Sequence, residues 1–387
     1  MLEMLAYGLT GVLIGIFTGL VPGIHPNTVI FSSLPLYLGS DLGFMLYASL
    51  ISGMSVSHTF HDFIPAFYLQ APEGGTALAM GVGERMASNG KGLEAFNSTL
   101  MGGITSLFAF LLMLPVVYFG LKMVYGLVQP FMAPLLLFFL FFLVFRSGKW
   151  EAGVVASLSG ALGYIALNSS IAGSFVLMPV FSGLFAVPAV LSSLNSSGGI
   201  PKQESSNKFS GLNGGFVGFF AGLMAGVFPG LGAAGSTSFL MPLIEDKKDF
   251  LAGMGGVNTS DIVVSLVSLL VLEKARSGAS VALDSLTKSI EWQIFGLVGV
   301  SIFCAGISAL TALRTHNLFL KIFSYVSFRF IGLAVLIVLF VVSFVFSGVF
   351  GLLVLLVASV IGGYSYLVDC RNVCMAVLLV PAILFFI

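Results

Sequence analysis

The sequence predicts an all-α membrane protein made of two inverted repeats of helices, each opening with a re-entrant hairpin. Three observations carry that expectation. First, 58% of the 387 residues are hydrophobic and 8% are charged, with a mean hydropathy of +1.08. Soluble domains carry about 25% charged residues, so lipid is the solvent that can absorb this surface. Second, one motif occurs twice. Gly15-Ile16-Phe17-Thr18-Gly19-Leu20-Val21-Pro22-Gly23 and Gly222-Leu223-Met224-Ala225-Gly226-Val227-Phe228-Pro229-Gly230 both read G-x-x-x-G-x-x-P-G, at an offset of 222 − 15 = 207. Pro35 and Pro242 keep that offset (242 − 35 = 207), and Gly75-Thr76-Ala77 returns as Gly278-Ala279-Ser280 at 278 − 75 = 203. Third, the basic residues sort to one side of the membrane once the spans are counted. A duplicated apolar segment broken by Gly and Pro is the sequence mark of a membrane binding site between repeats.

The elements follow in order. The opening apolar run breaks at Pro22-Gly23, and a short helix over 26–38 ends near Pro35. About 12 residues reach only ~18 Å at 1.5 Å each. That is too little to cross a ~30 Å hydrocarbon layer, so the pair reads as a re-entrant hairpin with P-G at its tip. A third helix is expected at 42–57, an irregular Gly/Ser/Thr-rich stretch at 58–84, then helices at 95–119, 124–145, 150–168 and 172–193. The second half repeats the series: a break at Pro229-Gly230, a short helix at 233–244, a third helix at 250–270, an irregular stretch at 271–288, and helices at 291–313, 330–346, 348–368 and 372–387. The polar stretch Asn195–Ser210 separates the halves. This gives a first inverted repeat at 1–194, a cytoplasmic linker at 195–210 and a second inverted repeat at 211–387.

With the N-terminus outside and five crossings per half, Arg85, Lys91, Arg146, Lys149, Lys202, Lys208, Lys247, Lys248, Arg314, Lys321, Arg329 and Arg371 fall inside, while Lys122 and Lys288 fall outside. That is the positive-inside sense. It predicts a multi-pass protein of the cytoplasmic membrane with both termini outside. An odd number of crossings also inverts the second half relative to the first. Net charge is zero, with 16 basic and 16 acidic residues, which argues against nucleic acid as a partner. Cys304, Cys370 and Cys374 form no metal pattern. Met1-Leu2-Glu3 lacks the basic start of a cleaved signal, so the first apolar run reads as retained.

Four stretches carry possible chemistry. At the two tips, Pro22-Gly23-Ile24-His25-Pro26-Asn27-Thr28 and Pro229–Thr237 break helices inside the membrane. Such breaks free N–H groups that attract anions and carbonyls that attract Na⁺; Gly23, Gly230, Gly232, His25, Asn27, Thr28 and Ser236 are the candidates. Ser55-Val56-Ser57-His58-Thr59-Phe60-His61-Asp62 has a counterpart, at offset 203, in Asn258-Thr259-Ser260-Asp261. Small polar groups at membrane depth replace an ion's water shell or hold a carboxylate. Ser57, His58, Thr59, Asn258, Thr259 and Ser260 are therefore expected to bind substrate, with Asp62 and Asp261 coupling an ion. His58 and His61, at i and i+3, also suggest a metal, or a proton relay. Lys274 and Arg276 break the inside bias, and Arg276 is expected to draw in an anion. Pro72-Glu73-Gly74-Gly75-Thr76 resembles a backbone nest for an anion, which adds Thr76. The plain alternatives are a kinked packing helix for the tips, an interfacial polar turn for the histidine stretch and a solvated rim around Arg276.

These residues also resemble a family. Gly15–Pro26, Gly222–Ala233 and Pro72–Lys91, with Thr76-Ala77-Leu78 and Asn89-Gly90-Lys91, are similar to the large membrane subunit of tripartite tricarboxylate transporters. The resemblance covers most of both halves. It implies a carboxylate symporter of the inner membrane, driven by an ion gradient. Its partners would be a small membrane subunit and an extracytoplasmic binding protein. It also implies an elevator-type architecture, often dimeric, with Gly23, Pro26, Ser57, Thr76, Gly230 and Gly232 shaping the site. The chain is shorter than typical members, and His25 stands where the family more often has a small or apolar residue.

The function expected from all this is secondary active transport of a small anion, a carboxylate, with Na⁺ or H⁺, by alternating access between the two hairpin tips. No cofactor and no resident metal are expected beyond the coupling ion. The alternative is an intramembrane metalloenzyme using His25, His58, His61 and Asp62, with a metal-activated water. A passive channel is a third reading, with no ring of charges to support it.

Overall fold

The computed structural model describes residues 1–22, 24–73, 75–169, 176–193, 200–206, 209–228, 232–240, 244–286, 293–323 and 328–387. All regular structure among them is helical: α1 (Leu2–Leu20), α2 (Pro26–Leu38), α3 (Phe44–His61), α4 (Phe63–Tyr68), α5 (Met80–Ser88), α6 (Gly92–Val128), α7 (Met132–Arg146), α8 (Glu151–Asn168), α9 (Leu177–Phe181), α10 (Val187–Ser193), α11 (Leu212–Val227), α12 (Gly232–Leu240), α13 (Lys247–Leu272), α14 (Gly278–Leu286), α15 (Gln293–Phe323), α16 (Phe328–Leu367) and α17 (Ala376–Phe386). Five helical stretches among the described residues are long and apolar enough to cross a membrane: Leu2–Leu20, Gly92–Arg146, Lys247–Leu272, Phe295–Phe323 and Gly332–Leu367. Large exposed side chains such as Phe119, Phe145, Phe330 and Val360 face outward along them, as lipid-facing surfaces do.

The third helices of both halves are longer than expected. The histidines at 58 and 61 therefore lie on α3 and not in an irregular segment, with Asp62 as the C-cap between α3 and α4. The helices expected at 95–119 and 124–145 form one run interrupted only by a 3₁₀ turn at Gln129–Phe131, where Pro130 sits. Lys122 is thus helical, since residues 120–128 hold no breaker of proline's strength. The break expected near 347 is real but sharp: the helix continues on both sides of Gly348, which itself takes φ 60°, ψ −155°. That conformation is open essentially to glycine alone. The stretch expected at 172–193 begins at Leu177 among the described residues and carries a π turn at Ser182–Ala186. In the stretch between the halves, residues 200–206 dock on α5 and α6: Gln203 Oε1 accepts from Gly92 N (2.8 Å), and Gly90 O accepts from Glu204 N (2.8 Å).

Two packings recur. Along α1 and α3, a Cβ on Gly11 would meet Leu50 O, one on Gly15 would meet Met54 O and Ser57, and one on Gly19 would meet His61. The two helices therefore run parallel at backbone contact. Along α11 and α13, Gly214 meets Asp249, Gly218 meets Val257 and Gly222 meets Ser260 in the same way. The offsets match: 222 − 15 = 207 on one helix and 260 − 57 = 203 on the other. Because α1 and α3 are parallel, α2 must carry the chain back between them.

Further contacts fix directions. Met4 and Met45 both reach Gly296, and Tyr68 Oη lies 3.0 Å from His316 Nε2, so α1, α3 and α15 share a direction. Phe96 stacks on His316 (4.7 Å between centroids) and Tyr118 meets Phe295 (5.4 Å), so α6 runs against α15. It runs with α13, pairing Glu94 with Lys248 early and Ser106 Oγ with Gly256 O later (2.9 Å). The first core, with Phe60, Phe63, Phe67, Phe96, Phe110 and Phe219 at its centre, joins these elements. A second core, with Leu136, Val155, Val180, Ala358, Cys374 and Val377, joins α7, α8, α9, α16 and α17.

Candidate functional site

The site forms where the chain leaves α1 and α11. Each helix ends in an extended residue before a proline: Val21 (φ −102°, ψ 108°) and Phe228 (φ −91°, ψ 113°). Proline excludes the helical conformation from the residue ahead of it, so both helices stop at the same place. Gly23, Pro229 and Gly230 lie outside the described residues, as does the Thr28 side chain.

Just beyond these stops lies a cavity of about 300 Å³. Its wall takes His25 and Asn27 from the start of α2, and Ser55, His58, Thr59 and Asp62 from α3. Glu73 and Gly75 come from the loop after α4, Gly232 and Ala233 from the start of α12, and Asn258 and Asp261 from α13. Arg276, Ser277 and Gly278 come from the start of α14. Leu177, Phe181 and Leu378 of the second core close it. The N-termini of α2, α12 and α14 thus all border one space. Helix N-termini present free N–H groups and the positive end of the dipole.

The polar side chains form two groups. In the first, His58 Nε2 lies 3.0 Å from Glu73 Oε2 and 3.8 Å from Asp62 Oδ2, and Nδ1 lies 3.1 Å from Thr18 Oγ1. His25 Nε2 lies 3.8 Å from the same Glu73 oxygen, and the His25 and His58 rings meet edge to face at 5.2 Å. Asn258 Nδ2 donates to Asp62 Oδ2 at 2.9 Å. Thr76 fixes Glu73: its Oγ1 accepts from Glu73 N (3.0 Å), and its N–H donates to Glu73 O (3.1 Å). The His58 and Asp62 side chains are only 3% and 4% exposed, so their charges are felt across low-dielectric surroundings and not through bulk water.

In the second group, Arg276 lies over the Tyr125 ring at 5.5 Å. Its Nε and Nη2 are buried without a protein acceptor, as is Asp261 Oδ1. Asp62 Oδ1 and Ser55 Oγ are likewise buried and unpartnered. Buried groups left this way cost free energy unless something enters to satisfy them.

Other expected residues take packing roles. Ser57 Oγ donates to Val12 O (3.0 Å), and Ser260 Oγ donates to Gly256 O (2.7 Å) beside Gly222; neither lines the cavity. Thr259 and Thr59 meet at 3.4 Å where α3 crosses α13. Ser236 Oγ is buried without a partner outside the cavity wall. His61 Nδ1 donates to Ser57 O (2.7 Å) and packs on Gly19, away from His58. The metal pair expected of His58 and His61 is therefore not formed.

Ligand atoms of His25, His58 and Glu73 do lie within 4.8 Å of one another, close enough for a metal ion. Yet His25 caps α2, with Nδ1 accepting the Asn27 N–H at 3.1 Å. The neutral ring then carries its hydrogen on Nε2, the atom facing Glu73, and has no lone pair there for a metal. Glu73 is the residue that sequence reasoning missed as a side chain. Its signal was a lone carboxylate inside Pro72-Glu73-Gly74-Gly75, a stretch read for its backbone alone.

These features define a multi-pass helical membrane protein with a cavity lined by polar side chains. The chain belongs to the tripartite tricarboxylate transporter TctA family, whose model matches residues 5–377. That is a family of transporters and not of enzymes, so the metalloenzyme alternative is not favoured. An uncharacterized protein of Methanocaldococcus jannaschii is 28% identical over 348 residues, covering 85% of this chain and 84% of that one. No solved structure matches the chain.

Proposed function

We propose that the protein is an ion-coupled secondary transporter of a small carboxylate, working by alternating access with Na⁺ or H⁺ as the driving ion. One observation carries this reading above the others: three helix N-termini and Arg276, whose Nε and Nη2 are buried without a protein acceptor, border a single cavity. A carboxylate entering it would accept from Arg276, most strongly in bidentate form, and would meet free N–H groups at α12 and α14. The candidate coupling carboxylates Asp62 and Asp261 both line that space, and each keeps one buried oxygen without a partner.

Two inverted repeats are supported by direction. The elements α1, α3 and α15 run one way, and their counterparts α11, α13 and α6 run the other. An elevator is supported by the cavity's place between the elements that carry the broken helices and α9 and α17, which border it through Leu177, Phe181 and Leu378. In this reading the elements with the broken helices slide and the group of α7, α8, α9 and α17 is the scaffold, where a homodimer would join. The charge bias supports the cytoplasmic membrane with both termini outside. The small membrane subunit and the extracytoplasmic binding protein of three-part systems are the proposed partners.

The test is citrate uptake into proteoliposomes carrying this chain, with and without an imposed Na⁺ or proton gradient. Gradient-dependent accumulation is expected. Downhill flux at channel-like rates, indifferent to both gradients, overturns the reading.

A further inference from the structure

We propose that the ion coupled to anion movement is a proton, held between His58 Nε2 and Glu73 Oε2. This rests on the transport reading above and names its driving ion. His25 Nδ1 accepts the Asn27 N–H, so the neutral His25 ring turns an N–H toward Glu73 Oε2 at 3.8 Å. Thr18 has one hydroxyl hydrogen and two acceptors, Gly15 O at 3.2 Å and His58 Nδ1 at 3.1 Å.

When that hydrogen points at His58, the ring carries its own hydrogen on Nε2 and donates it to an ionised Glu73. When it points at Gly15 O, His58 Nδ1–H donates to Thr18 Oγ1. The 3.0 Å contact between His58 and Glu73 then needs one hydrogen more. One heavy-atom arrangement therefore holds two states that differ by a single proton, exchanged by rotating one hydroxyl. Only N–H and O–H bonds change. The proton enters from one side of the membrane and leaves on the other. A Na⁺ ion would need a shell of oxygens, whereas this position is faced by two imidazole nitrogens, of which His25 Nε2 bears hydrogen.

Coupling follows from charge. The titratable groups nearest the pair are His25 ahead of α2 and Asp62 just after α3; His61 turns to Ser57 O, Asp261 of α13 and Arg276 ahead of α14 stand elsewhere on the cavity wall, and among the described residues α1 offers only the uncharged Thr18. The extra proton makes the His58–Glu73 pair one charge less negative beside the space the carboxylate must enter, so proton and anion favour each other's binding, reciprocally.

Proteoliposomes loaded with citrate as the probe test this. An inward proton gradient is expected to drive accumulation, and a Na⁺ gradient at equal pH is not. Glu73→Gln is expected to lower proton-driven accumulation about tenfold or more, the scale of an ordinary coupling free energy. Whatever citrate exchange remains in that variant should lose its pH dependence. Accumulation driven by Na⁺ alone overturns the proton inference and leaves the transport reading intact. Absence of both accumulation and exchange for citrate, malate and succinate, also when the small membrane subunit and the binding protein are supplied, overturns the transport reading instead.

The proton site is also judged without substrate. The chain has four histidines, so imidazole ¹⁵N spectra of histidine-labelled protein can be assigned one ring at a time. Glu73→Gln should change the His58 ring signals and their pH response and leave His316 unchanged. A His58 spectrum indifferent to Glu73→Gln overturns the shared proton.

Discussion

The two halves use the same frame and put different chemistry on it. In the first, Gly15 lets α1 touch α3 at Ser57, and Ser57 bonds back to Val12 O; in the second, Gly222 lets α11 touch α13 at Ser260, beside Gly218 O at 3.4 Å. One residue further along they part. The first half has His58, hydrogen-bonded to Glu73 and Thr18 and 3.8 Å from Asp62. The second has Asp261 at 58 + 203 = 261, with a free oxygen, and nearby Arg276 with two free nitrogens. Duplication supplies geometry, and single positions assign the task. The first half sets a histidine against a carboxylate and suits a proton. The second leaves two arginine nitrogens without a protein acceptor and suits an incoming anion.

The largest expected effect tests the shared frame. A side chain at Gly15 or Gly222 would run into Met54 O or the Ser260 side chain. Overpacking costs about 1–3 kcal/mol, and more where backbone must move, against total stabilities of ~5–15 kcal/mol. Gly15→Leu and Gly222→Leu should each remove most of the monodisperse protein recovered in detergent. If only one of them does, the halves are not equivalent in packing.

The next effect separates the halves. Arg276→Ala should weaken citrate binding by roughly 30- to 5,000-fold, since losing one partner of a buried charge contact costs about 2–5 kcal/mol. His58→Gln should leave a larger share of that binding and remove its pH dependence. Thermal stabilisation by citrate across a pH series reads both. Equal losses in the two variants would erase the division of labour.

Much of this frame was legible in the sequence. The offsets of 207 and 203 came from glycines and prolines, because close helix contact and helix breaks each demand those residues. The cavity wall was legible in part. His25, His58, Asp62, Asn258, Asp261 and Arg276 stood out as polar groups in a chain that is 8% charged. Direction was not legible. Nothing in Ser57 or Ser260 says that the hydroxyl turns to a neighbouring helix and not to the cavity, because helical spacing fixes a face only once the partner helix is known. Glu73 was hidden for a related reason: it lies in a loop without periodicity, and its meeting with His58 is set by the fold of residues 62–79.

Asn258 is the contact through which the second half steadies the first. Its amide donates to Asp62 across the α3–α13 crossing, and Gly75 passes against its side chain. Asn258→Ala leaves a buried carboxylate oxygen without its donor, at about 1–3 kcal/mol. A lower melting temperature is expected, together with a shift in the pH response of uptake. A stability change without any pH shift would mean that Asp62 stands apart from the proton group.

The smallest expected effect lies wholly within the first half. Thr76 holds the Glu73 backbone through its hydroxyl, in a turn closed by Thr76 N–H to Glu73 O. Thr76→Val keeps the shape and removes the hydroxyl, so the loss is one hydrogen bond, about 0.5–1.5 kcal/mol. Stability should fall by no more than that. Proton-driven uptake should fall further than stability does, because Glu73 would lose the turn that sets its oxygen 3.0 Å from His58. Thr76→Ser, which restores the hydroxyl, should recover it. Equal behaviour of the valine and serine variants in proton-driven uptake would show that Glu73 is placed by its loop alone, and would move the origin of the difference between the halves from Thr76 to the chain around it.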